Sequence, residues 1–132
     1  AATLWEQAVQ GYRDRQEPLN QSLALNHLSL AYQQLGQWQQ AQNAIAQSIN
    51  LLKNIQELDA KGTAILAQAL NTRGKMELAQ GNTEAAFATW QQAEAAYTRA
   101  DNENGKLGSR INQALALQSL GQYRRAKNLL EQ

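Results

Sequence analysis

Few side chains in this sequence are of the types that carry out catalysis or bind metals. His27 is the single histidine and there is no cysteine, so no thiolate site exists, and only carboxylates could complete a site around His27, which nothing in the sequence motivates. Two short carboxylate pairs, Asp14 with Glu17 and Glu57 with Asp59, lie near predicted helix ends, where solvated caps are the usual explanation. We therefore predict no catalytic residue, metal site or cofactor, and expect His27 to be structural or to lie at a groove edge.

Five aromatic side chains could instead stack on a ligand or on a nucleic-acid base. They are Trp5, Tyr32, Trp38, Trp90 and Tyr123. Their repeat-like spacing favours packing between helices. No glycine-rich phosphate loop or nucleophile elbow occurs, so the sequence does not predict an enzyme.

The composition favours one all-α domain. The chain has 132 residues, enough for a single core, and is rich in the helix formers Ala, Leu and Gln, with Pro18 as its one proline. A formal net charge of +1 provides no field that would recruit nucleic acid or a membrane surface. No apolar run approaches the ~20 residues of a membrane span. Nucleic acid and membranes are therefore not expected partners.

Three glycines, Gly36, Gly81 and Gly121, divide the chain into similar units. Each follows one apolar helical stretch and precedes another, and glycine ends a helix at low steric cost. Small residues recur before and after these glycines, and large ones recur one turn further on. The small residues are Ser29, Gly74, Ala114, Ala41, Ala86 and Ala126, and the large ones are Ile45, Trp90 and Leu130. This alternation predicts antiparallel helix pairs in which a large residue fills the space beside a small one.

The same pattern predicts seven helices. They cover about residues 2–15, 19–35, 38–54, 58–80, 83–100, 106–120 and 123–132. Pro18 suits the first turn of the second helix, and Asn82 or Thr83 can cap the fifth. Residues 101–108, DNENGKLG, are predicted to form a loop. The sequence ELDAKG, residues 57–62, is compatible with either loop or helix.

These units resemble the tetratricopeptide repeat (TPR), a helix pair with small residues at fixed positions and an aromatic residue after the turn glycine. The matching residues are Leu25, Leu28, Ser29, Tyr32, Gly36, Trp38, Ala41 and Ile45, then Leu70, Gly74, Gly81, Ala86, Trp90 and Ala93, then Ala114, Gly121, Tyr123, Ala126 and Leu130. The resemblance implies one TPR-like α-solenoid over residues 1–132. Residues 1–17 would be the second helix of a preceding repeat, and 18–56, 57–102 and 103–132 would be three repeats, the last truncated.

The spacing of the glycines departs from the ordinary repeat. They lie 45 and 40 residues apart (81 − 36 and 121 − 81), against about 34 for the common TPR. The excess of 11 in the first spacing is close to three helical turns, at about 3.6 residues per turn, so longer helices can absorb it without rotating the packed face. The segments NQSLALNHLSLAYQQLGQWQQAQ and INQALALQSLGQYRRA further resemble long-helix arrays of bacterial, especially cyanobacterial, proteins that precede a caspase-like CHAT peptidase domain.

In the TPR family the first helices of successive repeats line a concave groove that binds a peptide. The resemblance places Asn26, Leu30, Gln33, Gln68, Asn71, Lys75 and Gln118 in that groove, together with Leu23, Leu78, Gly108, Ile111 and Leu115. Asn26 and Asn71 each lie ten residues before their turn glycine, whereas Asn112 lies nine residues before Gly121. The basic positions of the family's carboxylate clamp are lost, so a groove with Lys75 as its main charge fits an uncharged or mildly acidic peptide. The alternative is that these side chains merely face water.

The expected function is a non-enzymatic scaffold that binds a peptide or protein segment. One alternative is a regulatory or sensor segment of a larger enzyme, such as a CHAT-type peptidase, and another is self-association through open solenoid ends. The chain starts with Ala-Ala and stops inside an apolar pattern, which suggests an excised or processed fragment. The compartment stays open between the cytoplasm and, if an export signal was removed, export.

Overall fold

The computed structural model of the chain describes residues 2–121 and 128–131, and over these residues it is all-α. The helices are α1 (Ala2–Asp14), α2 (Pro18–Gln34), α3 (Trp38–Lys53), α4 (Ala60–Ala79), α5 (Thr83–Arg99) and α6 (Glu103–Ser119). Residues 128–131 are helical as well. The all-α prediction is confirmed. The predicted helix over 123–132, with Tyr123 and Ala126, falls largely outside the described residues.

The predicted turn glycines end helices in left-handed backbone. The φ angle is 72° at Gly36, 86° at Gly81 and 76° at Gly121. At the end of α2, Gly36 N donates to Gln33 O at 3.1 Å and Gln37 N donates to Tyr32 O at 2.9 Å. This pair of hydrogen bonds satisfies carbonyl groups that the helix end would otherwise leave open. Pro18 is the first residue of α2, one residue before the predicted start, and lies in the first turn as expected.

The predicted loop over residues 101–108 is wrong, because α6 already begins at Glu103. The side-chain oxygen of Asn102 accepts a hydrogen bond from Gly105 N at 2.9 Å and caps the helix. The chain reverses instead at Asp101, which has a φ of 57°. Gly105 is present for close packing, since a Cβ there would overlap the ring of Tyr97. A cluster of turn-forming residue types therefore concealed a capped helix start.

The ambiguous segment 57–62 contains the start of α4. Asp59 Oδ1 accepts a hydrogen bond from Gly62 N at 2.7 Å, whereas Asn82 stands at the N-cap of α5 without a side-chain cap hydrogen bond. We expect Asp59→Ala to lower the free energy of unfolding by about 1 kcal/mol, because it removes this cap. Urea unfolding followed by circular dichroism measures the change. Asn82→Ala is the matched control, and an equal loss in both variants would contradict the assigned role of Asp59.

Each helix packs against its neighbours in sequence, and α2 also contacts α4. Small residues bring the paired helices close together. Ser22 Oγ donates to Ser48 O at 3.1 Å and Ser48 Oγ donates to Ser22 O at 2.8 Å, so α2 and α3 exchange two buried hydrogen bonds. Trp90 of α5 fills the space beside Gly74 of α4, where a Cβ would lie 2.5 Å from the indole nitrogen. This contact agrees with the predicted packing of a large residue beside a small one.

Among the described residues, the buried apolar side chains form one main cluster and two smaller ones. The main cluster is built from buried residues of α1 to α5, including Leu25, Ile45 and Leu70. Trp90, Ala86 and Ala116 form a second cluster that joins α5 to α6. Within residues 2–121 and 128–131, no helix is long and apolar enough to cross a membrane.

Candidate functional site

A pocket of about 340 Å³ lies between α4 and α6. Its lining residues are Asn71, Lys75, Tyr97, Gly105, Gly108, Ser109, Ile111 and Asn112. Four of these, two on each of the two helices, are among the groove residues that the TPR resemblance implies. They are Asn71, Lys75, Gly108 and Ile111. This pocket is therefore the candidate binding site.

Helix α5 holds the α4 side of the pocket in place. The indole Nε1 of Trp90 donates to Asn71 O at 3.3 Å, and the indole ring rests against Gly74. Trp90 is 2% exposed, so this contact is dry. The backbone that carries Asn71 is thus fixed from behind by a buried side chain, which preorganises the pocket wall.

A polar network holds α6 against α5. Gln113, which is 1% exposed, donates through Nε2 to Glu94 Oε1 at 2.8 Å and to Trp90 O at 3.3 Å. Arg110 Nε donates to Glu94 Oε2 at 3.1 Å. Each oxygen of the Glu94 carboxylate accepts one of these bonds, and such charge-assisted hydrogen bonds are stronger than neutral ones. The network fixes the rotation of α6 and therefore the face that it presents to the groove.

The polar groups of the pocket are only partly paired. Asn112 Nδ2 donates to Asn71 Oδ1 at 3.1 Å, which links α6 to α4 across the pocket. Ser109 is 1% exposed, and its hydroxyl has no hydrogen-bond partner among the described residues. Burial raises the pKa of Tyr97 above its ordinary value, so its hydroxyl stays protonated at neutral pH. The pocket therefore contains protonated donors beside Lys75.

An apolar stripe runs along the exposed face of α6. Leu107, Ile111 and Leu115 follow one another at four-residue spacing and are 56%, 43% and 51% exposed. Residues four apart lie on one face of a helix, so the three side chains form a continuous surface. Ile111 also lines the pocket, which makes the stripe and the pocket adjacent.

The first repeat offers a less open surface than the resemblance implies. Asn26 is only 3% exposed, and its carboxamide oxygen has no hydrogen-bond partner within the described part of the chain. Gln33 Nε2 donates to Thr72 O at 3.4 Å, and Leu30 is half-buried. Asn26 is therefore not open to a peptide at this groove position. The open part of the surface lies at α4 and α6.

The remaining groove candidates differ in exposure. Gln68, Lys75 and Gln118 are exposed, while Leu23 and Leu78 are half-buried. Four lining residues were not predicted as groove contacts, namely Tyr97, Gly105, Ser109 and Asn112. Tyr97 comes from a second helix, and the asparagine of α6 is shifted by one residue from the register of Asn71. The packing of the Tyr97 ring on Gly105 fixes the position of α6 and could have revealed the one-residue shift of its asparagine. This packing can be recognised only when the pairing of α5 with α6 is known.

The side chains considered for catalysis take part in packing, a surface ion pair and a helix cap. The ring of His27 stacks on that of Trp5, with centroids 4.5 Å apart, which agrees with a packing role. Glu17 pairs with Arg15 at 3.1 Å on the surface, and Asp59 caps α4. No group of three or more potential metal ligands occurs within residues 2–121 and 128–131.

The chain matches no protein-family model and no curated protein. Its structure is similar to the crystal structure of BtubC (BKLC) from P. vanneervenii, with a TM-score of 0.78 at 13% sequence identity. The similarity covers 97% of this chain and 52% of BtubC, so the chain spans about half the length of that protein. At this identity the similarity shows that the two share a fold.

Proposed function

We propose that this chain is a non-enzymatic scaffold that binds a peptide or protein segment in a groove whose open part lies between α4 and α6. The observation that carries the proposal is the pocket between α4 and α6, which brings together Asn71, Lys75, Gly108 and Ile111. The resemblance to TPR proteins implies these four positions independently of the pocket. The adjacent exposed face of α6 supports the same surface, because exposed apolar stripes commonly mark interaction sites.

The groove is suited to a peptide by its mixed chemistry. Asparagine side chains can both donate to and accept from a peptide backbone. Lys75 adds a charge, and the apolar stripe on α6 adds surface that association would remove from water. Buried networks behind both walls keep the groove preformed, which lowers the entropic cost of binding.

The test is affinity capture from a lysate of the source organism with the wild-type chain and with the double variant Asn71→Ala, Lys75→Glu. We expect a partner that the wild type retains and that the double variant loses, with at least about a tenfold drop in affinity once the partner is purified. Cross-linking from the position of Ile111 should then map the contact to α6.

The matched control carries the same two changes on α3, Asn50→Ala with Lys53→Glu, where both residues are exposed. It should retain the partner. Thermal unfolding of both double variants must match the wild type, so that loss of binding is not loss of fold. A partner held equally by all three proteins would place the binding surface outside the groove and contradict the proposal.

Membership of the TPR family and a solenoid arrangement are part of the same proposal. They are supported by the turn glycines, by the packing of Trp90 on Gly74, and by helix packing mainly between neighbours in sequence, with further contacts of α2 with α4 and of α4 with α6. The segments that resemble CHAT-associated arrays support a second candidate, a regulatory segment of a larger peptidase. The coding sequence of the parent gene tests that candidate, which requires a caspase-like domain in the same chain.

A further inference from the structure

The pocket between α4 and α6 carries a positive charge that no acidic side chain in its lining balances. Lys75 is the one charged residue among those lining it, and it is exposed. Other pockets differ in this respect. The pocket between α1, α2 and α3 is lined by both Glu6 and Arg13, and the pocket between α3 and α4 by both Arg73 and Glu77. A lysine without an acid beside it favours a ligand group of negative charge.

The polar groups around Lys75 are matched to an acceptor. Because Asn71 Oδ1 already accepts from Asn112, the amino group of Asn71 remains available to donate. The buried Ser109 hydroxyl lacks a partner among the described residues, and Ser109 lines the same pocket. An ionised carboxylate only accepts hydrogen bonds, and it accepts several at once. Its chemistry therefore fits this set of donors.

The apolar stripe on α6 indicates that the ligand also carries an apolar group. At the position of Ile111, ten residues before the turn glycine, the other two units carry Asn26 and Asn71. At this position, α6 carries an exposed large apolar residue where α2 and α4 carry asparagine. Leu107 and Leu115 extend that surface by one turn on each side of Ile111. A ligand that filled only the pocket would leave this surface in water.

We infer that the groove binds a peptide segment whose Asp or Glu side chain enters the α4–α6 pocket beside Lys75 while a nearby large apolar side chain packs on Ile111 and Leu115. This inference rests on the proposed function and specifies the class of segment. The carboxylate meets the lysine and the free donors, and the apolar side chain covers the stripe. The two features together distinguish such a segment from a neutral peptide and from a free carboxylic acid.

Labelled synthetic peptides, each flanked by Gly and Ser, test the inference by fluorescence anisotropy. One series contains Asp and Leu with the spacing between them varied. Two matched series replace Asp with Asn, or Leu with Ser. We expect the best Asp–Leu peptide to bind the wild-type chain about tenfold more tightly than either matched peptide, since each loses one of the two contacts. Added salt should weaken the Asp–Leu peptide more than the Asn–Leu peptide.

Two substitutions of Lys75 test whether its charge causes the preference for Asp. Lys75→Gln should abolish the preference for Asp over Asn, and Lys75→Glu should make a Lys–Leu peptide the better ligand. Lys61→Gln is the control, because Lys61 is exposed on the same helix and does not line the pocket. An equal loss in Lys61→Gln and Lys75→Gln would show general charge attraction and would overturn the inference.

Three further results would overturn it. One is equal binding of the Asp and Asn peptides by the wild type, and another is no binding of any Asp–Leu peptide at about 1 mM protein. The third is that succinate displaces the labelled Asp–Leu peptide as effectively as the unlabelled peptide does. That result would identify a site for free carboxylates. In each case a captured partner that is lost with Asn71→Ala, Lys75→Glu would still support the proposed function, so the two can fail separately.

Discussion

Replacing Trp90 with alanine should lower the free energy of unfolding by about 3–5 kcal/mol. Trp90 is 2% exposed, and truncation would leave a cavity where α4, α5 and α6 meet, since the surrounding helices can collapse only in part. The variant also loses the hydrogen bond from the indole to Asn71 O. Urea unfolding of the wild type and the variant measures the difference in the free energy of unfolding. The comparison requires that this free energy depend on urea concentration with the same slope in both proteins.

Trp38→Ala is the matched control, because Trp38 is only half-buried and packs at the edge of the main core cluster. Its loss should be clearly smaller than that of Trp90→Ala. A Trp90→Ala protein that unfolds at the wild-type urea concentration would show that Trp90 is not part of the core. Since Trp90 also supports the backbone of Asn71, the same variant should bind the Asp–Leu peptide less tightly even well below its unfolding midpoint.

Much of the fold could be predicted from the sequence because its signals are local. Turn glycines such as Gly36 and Gly81 have an apolar helical pattern on both sides. They also adopt a left-handed backbone conformation, which costs glycine less free energy than other residues. The recurrence of small and large residues around the turn glycines predicted close helix packing of the kind that Gly74 and Trp90 show. The start of α6 was missed because Asp101, Asn102 and Gly105 are turn-forming types, whereas their capping and packing roles depend on a helix that passes behind them.

The candidate site was harder to predict than the fold, because it depends on how one helix pair covers the next. Asn26 and Asn71 occupy the same position relative to their turn glycines, yet Asn26 is buried and Asn71 lines an open pocket. Ser109 and Tyr97 enter the pocket only through the register of α6 on α5, which is set by Glu94 and its partners. Spacing within one helix does not contain this information.

Replacing Gly74 with alanine should lower the free energy of unfolding by about 1–3 kcal/mol. In the interior of an ordinary helix the same change raises stability by roughly 0.5–1 kcal/mol, because glycine is the more flexible residue when unfolded. Here a Cβ would lie 2.5 Å from Trp90 Nε1 and 2.7 Å from its Cε2, so the indole must move out of a dry, close-packed site. Gly108→Ala on α6 is the control, since no atom lies within 4 Å of its added Cβ, and it should be stabilising.

The sign of the Gly74→Ala effect should reverse when Trp90 is absent. In a Trp90→Ala background the added methyl group enters the space that the indole has vacated, so only the helical preference of alanine remains, roughly 0.5–1 kcal/mol of stabilisation. The double-mutant cycle of the two substitutions isolates their coupling, which is expected to be large because the side chains are in direct contact. Gly74→Ala effects of the same sign and size in both backgrounds would mean that Gly74 is not small in order to admit Trp90. The packing that links α4 and α5 would then need a different explanation.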